Sequence, residues 1–371
     1  MTLLIAPSLS RLHAPTLTTL SAAVAANLAR VRATTNAPIM AVVKADGYGH
    51  GAVAVARAAV EAGAGWLGVT DAAHAAELRD AGLEAPILAW LNPSGVDAAQ
   101  VARDRVDIAI GSVEELQQLA ADAVAPVRVH LHMDTGMSRG GCPVSDWAEL
   151  LRVARAASGR IEIVGVMGHL PRADEADPRA NAAAVQRMRH ARDTVLRAGF
   201  GPLLVHLAAT AGALTDPSTH FDLVRVGAGL VGIDPSDTVQ LHGASRLTAS
   251  VVHSSLVRAG VAVGYGGTYV TPHETHLGVI GVGYADGIPR ELAEGAGVEI
   301  GGSRHPIVGR VSMDQIVVDT GSRSFPRGTI ATLFGPEGAA VPSVQEWARW
   351  AGTIPHTIVT GIGPRVQRSM A

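Results

Sequence analysis

Between about residue 38 and residue 230, short β-rich segments alternate with helical stretches, and this alternation constrains the fold more than any other feature of the sequence. It is typical of βα units that build a parallel sheet. We predict eight strands, at Ile39–Val43, Trp66–Val69, Ile87–Trp90, Val106–Ile110, Val127–Met133, Ile161–Met167, Leu203–Leu207 and Leu223–Val226. Eight such units with nearly continuous apolar strands predict a closed (β/α)8 barrel, whose reactive groups lie at the C-terminal ends of the strands.

Helices are predicted between these strands, at Ala52–Ala62, Ala72–Ala81, Val113–Ala121 and Ala182–Ala198. Glycine follows three of them, at positions 63, 82 and 199, where a left-handed C-cap favours this residue. Helices of this kind fit the crossovers of a barrel.

After about Ser245 the sequence pattern changes to short strands separated by glycine, proline and charged turns, which predicts a separate, mostly β domain. The predicted strands are Val251–Val257, Gly278–Tyr284, Val298–Ile300, Ile307–Val311, Gln315–Asp319 and Thr329–Leu333, with a last helix at Val344–Ala351. A length of 371 residues allows two domains. We expect a barrel over residues 1–243 and a β domain over residues 244–371, and we leave open whether the first ten residues or so pair with the second domain.

Charge and cysteine content limit the classes of binding partner and the cellular compartment that we expect. Thirty basic against 33 acidic residues give a net charge of −3, which provides no surplus for binding nucleic acid or an anionic membrane. No apolar run reaches the length of a membrane span, and no signal peptide is recognisable. The single cysteine, Cys142, excludes an internal disulfide and suits the cytoplasm. We predict no metal site.

Lysine usage is the sharpest compositional constraint. The chain has one lysine, Lys44, directly after the first predicted strand and before a glycine-rich loop. Any reaction that needs a side-chain amine to condense with an aldehyde therefore falls on Lys44. The alternative is a lysine that extends from the strand edge into solvent.

The segment around Lys44 decides between these interpretations. Val42-Val43-Lys44-Ala45-Asp46-Gly47-Tyr48-Gly49-His50-Gly51 resembles, over its whole length, the pyridoxal-phosphate attachment motif of the alanine racemase family. The resemblance continues to Arg365, near the end of the chain. It implies that pyridoxal 5'-phosphate (PLP) is the cofactor, that Lys44 carries it, and that Tyr48 contributes to its binding site.

Two further strand ends match family motifs. Arg139, in Asp134-Thr135-Gly136-Met137-Ser138-Arg139, is suited to bidentate binding of a carboxylate, and the resemblance assigns it to the substrate. His132 stands where many members have a carbamylated lysine that orients this arginine, so the carbamate cannot form here. His169 matches the histidine that hydrogen-bonds the catalytic tyrosine.

The last two strand ends match the phosphate and ring positions of the family. Thr210, Gly227 and Ala228 correspond to phosphate-binding residues, and Arg225 corresponds to the arginine that faces the pyridine nitrogen. An arginine cannot give up its proton, so it leaves that nitrogen largely unprotonated and weakens the cofactor as an electron sink. This argues against an amino-acid decarboxylase on the same fold.

In the β domain, Gly264-Tyr265-Gly266-Gly267-Thr268-Tyr269 resembles the family motif whose first tyrosine is the second acid–base. Tyr284 and Met313 lie in two further family motifs and are expected at the substrate site. In the family these three residues reach the cofactor of the other subunit. The resemblance thus implies a head-to-tail homodimer in which each β domain supplies Tyr265 to its partner.

The function expected from the resemblance is a PLP-dependent racemase that interconverts L- and D-alanine with two bases, Lys44 and Tyr265. Three departures bear on the substrate: His356 replaces a customary tyrosine that binds phosphate and narrows the entrance, Ala209 replaces an asparagine, and His132 replaces the usual lysine. We expect some racemisation of serine or other small amino acids. The alternatives are a racemase or epimerase for another amino acid and a non-catalytic PLP-binding barrel.

Overall fold

The computed structural model describes residues 12–336 and 338–371. The chain divides into two compact units, which we call the barrel unit and the β unit. The barrel unit comprises Ala23–Tyr48 and Ala52–His242, and the β unit comprises residues 12–22, Gly49–Gly51 and Gly243–Ala371. The suggested pairing of the first ten residues concerns positions outside the described residues.

The barrel unit contains the predicted parallel sheet. Its strands are β2 (Ile39–Val42), β3 (Trp66–Val69), β4 (Ile87–Ala89), β5 (Val106–Ile110), β6 (Val127–His132), β7 (Ile161–Met167), β8 (Leu204–His206) and β9 (Val224–Val226). Among the described residues these eight strands pair in the order β8-β7-β6-β5-β4-β3-β2-β9. A hydrogen bond of 3.0 Å connects the Arg225 amide of β9 to the carbonyl of Ala208, two residues after β8. The barrel is therefore nearly closed, and the predicted fold class is confirmed.

Helices cover this sheet: α1 (Ser21–Arg32), α3 (Ala52–Glu61), α4 (Ala72–Asp80), α5 (Ala98–Arg103), α6 (Val113–Asp122), α7 (Trp147–Ala156), α8 (Pro178–Arg197) and α9 (Thr210–Thr215). The short segment α2 (Lys44–Tyr48) is a left-handed turn after β2. Side chains of Asp71, Asp97 and Ser112 accept the orphan amides that begin α4, α5 and α6. The predicted helices are present, although α8 begins four residues earlier than expected because Pro178 suits a first helical position.

Apolar side chains fill part of the barrel interior. Met40, Leu88 and Leu223 are fully buried and belong to one cluster there, against which Tyr48 and Trp90 pack. Burying an aliphatic side chain of this size stabilises the fold by about 1.5–3 kcal/mol. The packed interior fixes the strands and so fixes the side chains that leave their C-terminal ends.

The β unit forms a second sheet of eight strands within the described residues, plus a two-stranded hairpin. Its elements are β1 (Thr16–Thr19), β10 (Ser245–Val257), β11 (Ala262–Val263), β12 (Tyr269–Val270), β13 (Thr275–Ile280), β14 (Gly297–Ile300), β15 (Ser303–Pro306), β16 (Ile316–Gly321), β17 (Ile330–Phe334), β18 (Gln367–Met370), α10 (Val344–Trp350) and α11 (Pro355–Thr360). Strand β1 lies between β10, antiparallel, and β18, parallel. The mostly β character predicted for this part of the chain is confirmed.

Two predicted strands of the β unit are wrong. The strand expected over Gly278–Tyr284 is displaced to β13 and ends at Ile280, and Tyr284 begins a 3-10 turn. This happens because the backbone at Gly283 lies against the Ser312 and Met313 carbonyls, where a side chain would overlap them. The strand expected over Ile307–Val311 is replaced by β15, and Ile307 forms only an isolated bridge with Val318.

Within the described part of the chain, no helix has both the length and the apolar composition needed to span a bilayer.

Candidate active site

Lys44 is placed by an unusual turn at the end of the first barrel strand. It lies two residues after β2, and the following residues Ala45, Asp46 and Gly47 have φ of 52°, 52° and 60°. Non-glycine residues rarely adopt this left-handed region, and such strain is concentrated at functional sites. The Asp46 carboxylate holds the turn by accepting the Ala52 amide at 2.8 Å, at the start of α3. The turn thus fixes the direction in which the lysine leaves the strand.

The Lys44 side chain lines a cavity of about 530 Å³ in the barrel unit. Arg139, His132 and His169 line the same cavity, together with Trp90. Burial lowers the pKa of the Lys44 amine, and the positive charges of Arg139 and Arg225 lower it further. A neutral amine is the nucleophilic and basic form of lysine, so these surroundings suit covalent chemistry and proton transfer.

Arg225 lies on β9 and is 6% exposed. One of its terminal nitrogens, Nη1, donates to His206 Nδ1 at 2.9 Å and to the His206 carbonyl at 3.0 Å. The other, Nη2, donates to the Gly168 and Leu207 carbonyls at 2.7 and 3.0 Å and to His169 Nδ1 at 3.3 Å. Burial lowers the pKa of Arg225 to about 10, which leaves it cationic at neutral pH.

Two histidines of the cavity are neutral. Burial lowers the pKa of His169 to about 3, assisted by the charge of Arg225, and it lowers the pKa of His132 to about 4 for the same two reasons. Since Arg225 only donates hydrogen bonds, His169 Nδ1 must accept, and the proton of the neutral ring is on Nε2. His169 therefore presents an N–H donor from its other nitrogen.

The loop that carries Arg139 is fixed by Asp134. The carboxylate of Asp134 accepts the amides of Gly136, Met137 and Ser138 at 2.8–3.2 Å. Arg139 itself is exposed and borders the cavity. Its planar guanidinium is available to a ligand carboxylate.

Thr210, Gly227 and Tyr48 meet on another side of the barrel unit. The Thr210 hydroxyl oxygen accepts the amides of Gly227 and Gly229 at 3.3 and 3.1 Å, which leaves its own proton for a different acceptor. The Tyr48 ring lies so close to Gly227 that any side chain there would overlap the phenol. Burial raises the pKa of Tyr48 to about 12, so the phenol keeps its proton and can donate a hydrogen bond. The phenol lies beside the backbone of Ala228. Backbone and hydroxyl donors of this kind bind phosphate.

The β unit brings together its own predicted site residues. Tyr265 begins a 3-10 turn in the β11–β12 hairpin, and its side chain is 65% exposed. Tyr265 and Met313, which is 52% exposed, line one cavity of about 520 Å³. The Tyr284 amide donates to the Ser312 carbonyl at 3.0 Å, and Arg290 lies 5.6 Å above the Tyr284 ring. His356 is half-buried at the start of α11, in the same unit.

Sequence reasoning missed a chain of buried polar side chains in the barrel interior. Asp107, His130 and His206 lie on β5, β6 and β8 and connect to Arg225. The signal that could have revealed them was a charged or imidazole residue inside an otherwise apolar strand, as in Val106-Asp107-Ile108 and Val129-His130-Leu131. Among the described residues no group of three or more histidine, cysteine or acidic side chains is arranged to hold a metal ion.

The fold and the site define the class: a (β/α)8 barrel with a strand-end lysine amine beside cationic and imidazole groups, followed by a β unit with an exposed tyrosine. The family model "Alanine racemase, N-terminal domain" matches residues 21–235, and "Alanine racemase, C-terminal domain" matches residues 244–370. The chain belongs to the alanine racemase family.

Individual relatives agree with this assignment. The alanine racemase of Thermobifida fusca is 44% identical over 340 residues, covering 90% of this chain and 91% of the relative. That of Salinispora tropica is 41% identical, covering 92% and 94%. The crystal structure of alanine racemase from D-cycloserine producing Streptomyces lavendulae has a TM-score of 0.91 at 36% identity and covers 98% of each chain. The alanine racemase of Bacillus anthracis with bound L-Ala-P has a TM-score of 0.89 at 31% identity, covering 99% and 96%.

Proposed function

We propose that the protein is a PLP-dependent alanine racemase, which interconverts L- and D-alanine by a two-base mechanism. The observation that carries the proposal is the lowered pKa of Lys44 in a cavity that it shares with Arg139 and His169. The lone buried cysteine, Cys142, is consistent with a cytoplasmic enzyme.

The residues of the barrel unit fit PLP. Lys44 is the one side-chain amine of the chain and is suited to hold the cofactor aldehyde. The Thr210 hydroxyl and the Tyr48 phenol supply neutral donors for the phosphate beside the Gly227 and Ala228 backbone, and the family resemblance adds His356. Arg225 would face the pyridine nitrogen. When bound, PLP supplies an electron sink that makes the α-C–H of an amino acid acidic.

Lys44 Nζ is one of the two proposed bases. Its lowered pKa makes the neutral amine more accessible, and in this form Nζ takes the α-proton on the D side and returns it there. Arg139 holds the substrate carboxylate and thereby fixes which face of the α-carbon meets the amine. Because Arg225 remains cationic and does not release a proton, it favours rapid return of the α-proton over competing reactions.

Tyr265 of the partner subunit is the second proposed base, acting on the L side through its phenolic oxygen. His169 Nε2–H is the donor suited to stabilise that oxygen as a phenolate, because His169 is neutral and its Nδ1 accepts from Arg225. Two bases on opposite faces invert the configuration without rotation of the substrate. Each group of this kind contributes roughly 10²–10⁴-fold to the rate.

Exposed site residues of the β unit support the proposal of a homodimer. Tyr265 and Met313 are exposed in the single chain and line a cavity, as expected of surfaces that a second copy covers. We propose that the partner subunit supplies Tyr265, Tyr284 and Met313 to each site, in a head-to-tail arrangement with two composite sites.

Purified protein with PLP and L-alanine in D2O tests the function. We expect optical inversion together with incorporation of deuterium at the α-carbon, and loss of both in Lys44→Ala and Tyr265→Phe. Tyr269→Phe is the matched control, since Tyr269 donates to Asp319 at 3.0 Å and lines neither the Lys44 nor the Tyr265 cavity. Cofactor absorbance without inversion or deuterium uptake would favour a non-catalytic PLP-binding barrel instead.

A further inference from the structure

Four side chains inside the barrel form a continuous line of hydrogen bonds. Asp107 Oδ2 is 3.1 Å from His130 Nε2, and His130 Nδ1 is 2.9 Å from His206 Nε2. His206 Nδ1 is in turn 2.9 Å from Arg225 Nη1. His130 and His206 are 0% exposed, and Asp107 is 4% exposed. The line crosses the barrel interior from β5 to β9.

Donor chemistry gives this line one direction. Arg225 has only donors, so His206 Nδ1 must accept and the His206 proton is on Nε2. His206 Nε2–H then donates to His130 Nδ1, and His130 Nε2–H donates to the Asp107 carboxylate. Burial and the charge of Arg225 hold the pKa of His206 well below its usual range, in agreement with a neutral ring.

The neighbouring residues secure this arrangement. A side chain on Gly165 of β7 would overlap the His130 ring, so the glycine makes room for the imidazole there. At the far end, Arg128 Nε donates to Asp107 Oδ1 at 2.9 Å, and the Arg128 side chain is 48% exposed. The buried carboxylate is thus paired on both sides, as buried charges must be.

We propose that Asp107, His130 and His206 are positioning residues, which hold the Arg225 guanidinium through a one-way relay of hydrogen bonds. The Asp107 carboxylate attracts the His130 proton, which makes His130 Nδ1 a stronger acceptor for His206, and His206 Nδ1 a stronger acceptor for Arg225. A buried cation is costly without such partners. The role of Arg225 at the cofactor ring rests on the function proposed above, whereas the relay itself does not.

Asp107→Asn is the sharpest perturbation. Asparagine has the shape of aspartate, but its NH2 group must face either His130 or Arg128. Both residues donate hydrogen bonds to the native carboxylate, so one donor would then face another donor. We expect kcat for alanine to fall about tenfold, KM to change less than about twofold, and PLP content to be retained. Arg128→Gln is the matched control: it removes the guanidinium charge, but the glutamine amide can still donate to Asp107 Oδ1, so the carboxylate stays paired and we expect kcat within about twofold of wild type.

The direct test is the tautomer of each histidine, from long-range ¹H–¹⁵N correlation spectra of the PLP-loaded protein, assigned with His130→Asn and His206→Asn. We expect His130 and His206 to be neutral with the proton on Nε2, in wild type and in Arg128→Gln, and this pattern to be lost in Asp107→Asn.

Two results would overturn the proposal. One is a His206 ring that carries a proton on Nδ1 in wild type, and the other is an Asp107→Asn variant that loses the tautomer pattern but keeps wild-type kcat. The spectra do not depend on turnover, so a wild-type protein that failed to racemise alanine would refute the proposed function while the tautomers still decided the relay.

Discussion

The barrel unit and the β unit prepare their site residues in opposite ways. In the barrel unit, Arg225 is 6% exposed and makes five hydrogen bonds to groups of its own unit. In the β unit, Tyr265 is 65% exposed on a glycine-flanked turn. Buried groups are fixed by the fold of one chain, whereas an exposed tyrosine needs a covering surface before it has a defined environment. The difference indicates that the barrel unit is organised within one chain, whereas the exposed Tyr265 of the β unit would gain a defined environment in the proposed homodimer.

The largest expected effect tests whether the two proposed bases come from different chains. Lys44→Ala and Tyr265→Phe should each lower kcat by at least about 10²-fold. Co-expression of the two variants should restore about a quarter of wild-type activity, because about half of randomly paired dimers are mixed and each mixed dimer has one complete site. Activity of affinity-purified mixed dimers, in which one of the two sites is complete, is the measurement, and we expect about half of wild-type activity there. No recovery in verified mixed dimers would mean that both bases act within one chain.

The next effect tests the burial of imidazoles in the barrel unit. Burial lowers the pKa of His169 to about 3, whereas a histidine in an unfolded chain titrates near 6.5. Between these values the unfolded chain binds more protons, so stability decreases as the pH falls through that range. His169→Gln should reduce the decrease in the free energy of unfolding between pH 7 and pH 4, measured by urea unfolding. His253→Gln, at an exposed position of the β unit, should leave the slope unchanged, and equal slopes for all three proteins would contradict the prediction.

A smaller effect concerns the charge balance around Arg139. His132→Lys would place an amine near two arginines, Arg139 and Arg225, whose charges already lower the pKa of the native histidine. An ammonium group there is unfavourable, but carbamylation converts it to an anion that suits both arginines. We expect the variant to melt a few degrees below wild type without bicarbonate and to recover with it. A melting temperature that ignores bicarbonate would show that the carbamate does not form.

The smallest effect lies in the β unit. His356→Tyr restores the residue customary in the family and should narrow the substrate entrance. We expect the ratio of kcat/KM for alanine to that for serine to rise about threefold, as one added group in a pocket allows. Wild-type protein that racemises serine no better than background would remove the premise of reduced selectivity.

The sequence also predicts the strands of the barrel unit more closely than those of the β unit. The pattern of the sequence predicts the barrel strands to within about one residue at each end, because parallel strands that are buried on both faces are continuous apolar runs. In the β unit, the pattern does not predict β1 (Thr16–Thr19) and β18 (Gln367–Met370), since they pair across nearly the whole chain and carry polar side chains. Their pairing is a long-range property that no local pattern reports.

For the site, the sequence alone determined the chemistry available: a single lysine after an apolar strand, and a motif that ties it to a family. Tertiary structure decided what surrounds these groups. It set Arg225 against His169 and His206, lowered the pKa of Lys44, and joined Asp107 to the site through His130. The physical reason is that residue identity fixes which atoms can donate, accept or attack, while burial and hydrogen-bond direction depend on neighbours that are distant in the chain.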